Sequence, residues 1–390
     1  MNKMNIAIVS PFNPSFVSYL FNEKNIPNIH GNATAVNILV SALIELGHNV
    51  YVYTTINECT GSSLISGRNI KVNIISKEFH PKGMSNIRVV KRIRKEIRKD
   101  LNSIDVIHAH WTYEYAAAVR SFDTQKPVFC TIRDWCPYQK TLTKSFREKY
   151  TWFINGLLFS YVLKSKRIKF IANSTYTYKM AHADYPEKNI LIIPNPVQSR
   201  YILKDRKERF GDPVFISICQ SVLERRKNII TLLKAFQNFR NDKNNSRLII
   251  LGSYTQEWKD NNKDYLEGVE LIGTVDHNEV YKYIDQSDVL IHPSLEETFG
   301  NILLEAMARK VVCIGGEKSG AVPEVLGYGK RGLICDVSNV NSLMKTMMVA
   351  LDKEVITPLI ERATEYLFEC YADSSVASRH IDLFSATLDG

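Results

Sequence analysis

Short β-branched apolar runs alternate with stretches of helical periodicity along the whole chain, and that alternation excludes all-helical and all-β folds. The first half opens with a strand at 5–10, a long polar and aromatic loop at 11–31, and a helix at 33–47 carrying Val36, Leu39, Val40 and Leu43. A strand at 50–53 completes a βαβ unit. Further strands are predicted at 70–75, 105–111, 127–131, 168–173 and 189–193. Pro194-Asn195-Pro196 then opens a polar, charged linker running to Pro213. A second series follows, with strands at 214–219, 247–251, 269–272, 289–291, 311–314 and 332–334 and helices at 227–239, 276–285 and 341–351, the last capped by Ser338. Repeated strand–helix–strand units require parallel strands joined by crossovers, so each half is expected to be a doubly wound parallel sheet.

At 390 residues the chain is long for one core and suits two domains. The run Met4-Asn5-Ile6-Ala7-Ile8-Val9 leads directly into a buried strand and does not read as a signal peptide. No apolar run reaches the roughly eighteen residues that span a bilayer. The seven cysteines are scattered and never spaced C-x-x-C, as expected of reduced thiols in a cytoplasmic protein. A formal charge of +9 asks for an anionic partner, and charge alone does not choose between nucleic acid, an acidic membrane face and an anionic substrate.

Two segments bear on the membrane. In 82–99, Val89, Val90, Ile93 and Ile97 form one helical face, while Lys91, Arg92, Arg94, Lys95, Arg98 and Lys99 cover the other. Residues 152–163 are largely apolar and flanked by Lys144, Arg147 and Lys149 before, and Lys164, Lys166 and Arg167 after. The first fits a packed helix with a solvated outer face or a helix that meets anionic lipid, and the second a buried helix of the first domain or an interfacial one with its aromatics at headgroup level.

The chemistry is expected in 292–308. Val289-Leu290-Ile291 is a strand, Pro293-Ser294 a turn, and apolar Ile302, Leu303, Ala306 and Met307 recur with helical spacing after Gly300. A helix that starts at a glycine-bearing loop offers N–H groups and partial positive charge, which suits phosphate. Glu305 lies roughly 7 Å along that helix and Glu297 just before it. Carboxylates beside a phosphate site are repulsive unless turned toward hydroxyls, and a nucleotide sugar supplies both groups. Solvated charges at a helix start would look the same, and spacing alone leaves both readings open.

Pro293-Ser294, Glu297-x-Phe299-Gly300 and Glu305-Ala306-Met307-Ala308 resemble the signature of the retaining group 1 (family 4) nucleotide-sugar glycosyltransferases of GT-B fold. The resemblance is strong over 288–324 and weak before Pro194. It implies two Rossmann-like domains facing a cleft, 1–195 for the acceptor and 196–374 for the donor, with the last helix, 375–390, crossing back. By the same resemblance Glu297 contacts the transferred sugar, Phe299, Gly300 and Asn301 bring backbone to the donor, and Glu305 binds the ribose diol. Gly31 and Asn32 stand where the family often has Gly-Gly beside the donor phosphate. His110, ending a His-x-His-Trp strand, is expected to contact sugar or acceptor, with His108 structural. Arg133 stands where relatives carry histidine, and an arginine there acts through charge and hydrogen bonds only. Lys227 matches the diphosphate lysine. Its usual arginine partner is replaced by Ser221 or Val222, which leaves Arg225 or Arg226 to supply the second charge.

The implied reaction is a retaining, metal-independent transfer of a hexose-type sugar to a saccharide hydroxyl. The chain has no Asp-x-Asp, and no cofactor is expected. The expected acceptor is a lipid-linked oligosaccharide of O-antigen or capsule assembly, met at the inner face of the plasma membrane. A nucleotide-sugar epimerase of the same architecture would need an acid/base pair for which no motif is present. A phosphorylase would need a pyridoxal lysine site. A polyanion-binding protein would interleave its basic residues with stacking aromatics, and no nucleic acid is expected as partner.

Overall fold

The computed structural model describes residues 3–22, 26–29, 33–56, 63–77, 85–120, 122, 124–137, 146–206, 209–241 and 245–389. Two compact units emerge, Met1–Pro196 with Asp373–Gly390, and Val197–Ala372.

The first unit is built on eight strands: β1 (Asn5–Val9), β2 (Asn49–Ile56), β3 (Ser63–Gly67), β4 (Ile70–Ser76), β5 (Val106–His110), β6 (Val128–Ile132), β7 (Ile168–Ala172) and β8 (Ile190–Ile192). They lie in the order β3-β4-β2-β1-β5-β6-β7-β8. Every pairing is parallel except β3 with β4. That edge hairpin, turning at Arg68-Asn69, corrects the expectation of a purely parallel sheet. Its Ser63-Leu-Ile-Ser-Gly sequence is too polar to read as a strand on its own. The order reverses direction at β1, so the crevice of this sheet opens between β1 and β5.

Side chains alternate across the sheet and split its core in two. Ala7, Val9, Ile107 and Ala109 meet helices α2 (Ser85–Asp100), α3 (Glu114–Arg120) and α4 (Phe146–Leu163), and Ala181 of α5 (Thr175–Asp184) joins them. Ile6, Ile8, Val52 and Val106 face α1 (Thr34–Glu45) and the C-terminal helix Asp373–Leu388. The latter buries Val376, Ala377, His380, Ile381 and Phe384, an i, i+1, i+4, i+5, i+8 stripe. Phe384 packs on Phe129 of β6 with ring centroids 4.9 Å apart.

The second unit has six strands, β9 (Val214–Ser221), β10 (Arg247–Ser253), β11 (Val269–Gly273), β12 (Val289–His292), β13 (Val312–Gly316) and β14 (Leu333–Cys335). All pair in parallel, in the order β11-β10-β9-β12-β13-β14. Helices α6 (Ile229–Arg240) and α11 (Val340–Val349) cover one face through Leu232, Phe236, Leu343 and Met347. Helices α8 (His277–Asp285), α9 (Asn301–Ala308) and α10 (Val322–Val325) cover the other. The remaining helices are α7 (Gln256–Asn261) and α12 (Lys353–Tyr366). Pro358, which reads as a stop signal, sits inside α12. Asn339, not Ser338, caps α11, accepting from the Ser342 N–H.

The stretch read as a linker is integral to the second unit. Val197 and Ile202 are buried in its core, Leu203 N–H donates to the Ala308 carbonyl at 2.8 Å, and Arg209 pairs with Asp288 at 2.5 Å. Among the described residues no helix is long and apolar enough to cross a membrane.

Phe384→Ala removes a fully buried ring and is expected to cost about 3–5 kcal/mol. Chemical denaturation of the full chain checks this, and an unshifted midpoint would show that the C-terminal helix contributes nothing to the first unit's core.

Candidate functional site

In the second unit the strand order reverses between β9 and β12, where doubly wound sheets open their ligand crevice. Two loops meet there. After β9 the backbone makes a tight turn over Arg225–Lys227, and Asn228 adopts a left-handed conformation (φ 54°) that starts α6. The Asn228 amide donates to the carbonyls of Pro293 (3.2 Å) and Val337 (2.8 Å), and Leu295 N–H donates to the Arg226 carbonyl at 2.8 Å. These bonds hold the β9–α6 turn against the loop leaving β12.

The side chains complete the junction. Lys227, buried, places Nζ 2.5 Å from Glu297 Oε1, and Arg226 Nη1 reaches the same oxygen at 3.3 Å. Arg226 also pairs with Glu224 at 3.0 Å, whereas Arg225 is exposed. His292 Nε2 stands 3.4 Å from Glu297 Oε1, off the line of a hydrogen bond. Burial opposes charge on Glu297, but His292, Lys227 and Arg226 together outweigh it and hold the carboxyl well below the usual range. Glu297 is therefore an anion at any physiological pH. A diphosphate reaching this place would draw on the same two cations.

Gly300 turns the chain into α9. Its φ is +90°, and a Cβ there would stand 3.2 Å from Leu303 Cδ1, so glycine suits the position on both counts. Asn301 is the first helical residue, which puts the positive end of α9 beside Glu297. Phe299 lies in the core, its ring edge-on to Tyr371 at 5.8 Å, so it has backbone, not ring, to offer a ligand. The loop at 319–321, between β13 and α10, is tied to the same place, with Ala321 N–H donating to the Glu297 carbonyl at 2.9 Å.

Glu305, buried within α9, is met by His277 of α8, whose Nε2 is 3.0 Å from Oε1. A carboxylate accepts, so Nε2 carries the proton. Tyr281, one turn on, stands edge-on to the imidazole at 5.7 Å and stacks on Tyr201 at 4.1 Å. Burial disfavours the imidazolium, yet the Glu305 carboxylate outweighs it and the His277 pKa is raised. One carboxylate oxygen is thus tied down.

The first unit gathers a different set at the carboxyl ends of β5 and β6. His110 ends β5 and is fully buried; its Nδ1 accepts from Arg133 Nη2 at 3.0 Å, which leaves its proton on Nε2. Arg133 Nη1 donates to Asn195 Oδ1. His108 Nε2 is 2.8 Å from Thr131 Oγ1, and the His108 ring lies 4.1 Å from His110 and 5.2 Å from His380 of the C-terminal helix. Burial, the neighbouring imidazoles and Arg133 hold His108 and His110 well below the ordinary histidine value, and burial takes His380 down to about 4. All three are neutral. Burial also lowers Arg133, to about 10, which keeps it a cation at neutral pH. Beside it Tyr113 donates to Asp134 Oδ1 at 2.9 Å, and burial pushes that carboxyl up to about 7.

Of the residues singled out from the sequence, Arg226, Lys227, Glu297, Gly300 and Asn301 converge in the second unit, with Glu305 further along α9. Arg133 and His110 meet in the first unit. Gly31 and Asn32 lie outside the described residues. Sequence reasoning missed His277 and Asn195 as side-chain partners. His277 is 28 positions from Glu305 and Asn195 is 62 from Arg133, and no local pattern links either pair.

Residues 202–367 match the family described as glycosyl transferases group 1, and residues 29–200 match Glycosyltransferase Family 4. The chain belongs to the group 1, family 4 glycosyltransferases. This sets aside the epimerase and polyanion-binding readings. The glycosyltransferase is 25% identical over 325 residues to the alpha-monoglucosyldiacylglycerol synthase of Acholeplasma laidlawii, covering 76% of this chain and 79% of the relative. It is 31% identical over 106 residues to the N-acetyl-alpha-D-glucosaminyl L-malate synthase of Bacillus anthracis, covering 27% and 28% of the two chains. Among solved structures it resembles a sucrose-phosphate synthase from Thermosynechococcus elongatus, with a TM-score of 0.77 at 16% identity over 99% of this chain and 100% of that one. It also resembles WaaG, a glycosyltransferase involved in lipopolysaccharide biosynthesis, with a TM-score of 0.71 at 14% identity over 97% and 99%. At such identities these two show the fold, GT-B.

Because the folded pKa of His277 is raised, the stability it contributes is full below its unfolded value of about 6.5 and is lost as pH rises through the folded one. The melting-temperature gap between the wild-type enzyme and His277→Ala is therefore expected to be larger near about pH 6 than near about pH 8.5. A gap that stays constant or widens with pH would contradict the pairing.

Proposed function

We propose that this glycosyltransferase moves a hexose-type sugar, with retention at the anomeric carbon, from a nucleoside diphosphate to a hydroxyl of a lipid-carried saccharide in surface polysaccharide assembly. The observation that carries the proposal is the meeting of Lys227, Arg226 and Glu297 beside the start of α9, at the reversal point of the second sheet. The donor diphosphate takes the two cations and the positive end of the helix, and Glu297, released from them, accepts from hydroxyls of the transferred sugar. Glu305, with one oxygen held by His277, accepts from the ribose diol with the other.

In the transfer the bond from the anomeric carbon to the diphosphate oxygen breaks with its electron pair going to the diphosphate. The acceptor hydroxyl attacks from the same face, and its proton passes to the departing phosphate. Charge builds on the leaving group, and Lys227, Arg226 and the N–H groups of Gly300 and Asn301 are fixed in advance to stabilise it. No divalent cation is required in this scheme. Arg133, held by His110 and Asn195, contributes a fixed cation on the acceptor-binding unit. A lipid-borne acceptor is supported by the Acholeplasma laidlawii relative, whose name places a glucosyl group on diacylglycerol.

Thermal-shift screening against UDP, GDP, ADP and their sugars identifies the donor. With that donor, Glu305→Ala is expected to weaken nucleotide affinity by about tenfold or more, and Glu297→Ala to slow transfer by about a hundredfold with affinity largely kept. Unchanged turnover in both variants would overturn the assignment.

A further inference from the structure

We infer that the first unit docks on an anionic lipid bilayer through the outer surface of the layer formed by α2, α3 and α4, with α2 supplying the charge and α4 the inserted side chains. The three helices pack on one core: Val89, Ile93 and Ile97 of α2, Ala116 to Val119 of α3, and Phe159, Val162 and Leu163 of α4 share a single buried cluster on one face of the sheet. Their opposite sides therefore look outward together, with α3 between the other two.

The outward side of α2 is basic throughout. Its exposed positions are Arg88, Lys91, Lys95, Arg98 and Lys99, steps of three, four, three and one that trace a single face. The carboxylates of the helix are neutralised. Glu96 pairs with Lys99 at 2.6 Å, and Asp100 with Lys71 at 2.5 Å.

The outward side of α4 is apolar. Tyr150, Phe153, Leu157 and Tyr161 are 43%, 57%, 55% and 41% exposed. They recur at three, four and four residues, a stripe roughly 16 Å long at 1.5 Å per residue. Such a row of large side chains in water is a cost unless something covers it. Exposed cations bracket it, Lys149 before and Lys164, Lys166 and Arg167 after. Between the helices the Arg120 guanidinium lies 3.7 Å above the Tyr161 ring, a cation at the level of the aromatic.

A bilayer interface has the matching order: anionic headgroups outermost for α2, and the headgroup–acyl boundary for aromatics with lysines at their ends. Nucleic acid would answer the cations but would leave Phe153 and Leu157 unused. This surface deepens the lipid-borne acceptor of the proposed function and rests on it only for its purpose. The test contains no sugar donor, so its failure and a failure of the transferase reading are separable.

The test is sedimentation of the full chain, at roughly physiological salt, with vesicles of phosphatidylcholine alone and of phosphatidylcholine containing about one-third phosphatidylglycerol. The chain is expected to pellet with the anionic vesicles only. Lys91→Gln with Lys95→Gln should lower its partition roughly tenfold or more. Phe153→Ser with Leu157→Ser should lower it to a similar extent, by about tenfold, with an unchanged melting temperature. Failure of the wild-type chain to prefer anionic vesicles overturns the inference without any variant. Wild-type partition by both double variants, or vesicle-free binding of nucleic acid or protein through the same residues, also overturns it.

Discussion

A buried carboxylate must be paired or it does not stay charged, and in the second unit Glu297 is paired from several directions. Arg226 and Lys227 come to it from the turn after β9, and His292 from the end of β12. The backbone bond from Ala321 adds the loop after β13. Three loops far apart in sequence are thereby fixed together at the carboxyl ends of the central strands. Two unusual backbone conformations serve the same junction, Asn228 turning the first loop into α6 and Gly300 turning the second into α9. With either residue confined to negative φ, the cations and the positive end of α9 would no longer point to one place.

The two units hold their cations differently. Arg226 and Lys227 sit against a carboxylate, in a balanced group that an arriving phosphate can re-divide. Arg133 is held by a neutral amide and a neutral imidazole, and its pKa falls to about 10 through burial. The first arrangement leaves its cations able to change partners; the second keeps a fixed charge in a fixed position. Neutrality of His110 is part of that, because only an unprotonated Nδ1 can accept from the guanidinium.

The fold was legible in the sequence because parallel strands buried on both faces leave apolar runs that polar edges do not. Val289–Ile291 and Ile6–Val9 are of this kind, and β3 is the contrary case, a polar edge strand made by its partner. The 292–308 segment was legible for another reason: its glycine, helix start and two glutamates lie within one short span. The residues that tune it do not. His277 and Arg226 reach their glutamates only after the sheet has brought separate βα loops together, and no periodicity encodes that. For residues 152–163 the largely apolar run did not separate the packed side from the outer one, and α4 buries Phe159 and Val162 while it exposes Phe153 and Leu157.

In the proposed function, side chains and amides of the second unit hold the diphosphate of the donor without a divalent cation. Calorimetric titration of the enzyme with UDP, GDP or ADP, whichever gives the largest thermal shift, tests it when run in EDTA and again in magnesium. Equal affinity in the two buffers, falling about tenfold or more in Lys227→Ala, is the predicted result. Binding that appears only with magnesium, or that Lys227→Ala leaves untouched, would contradict it.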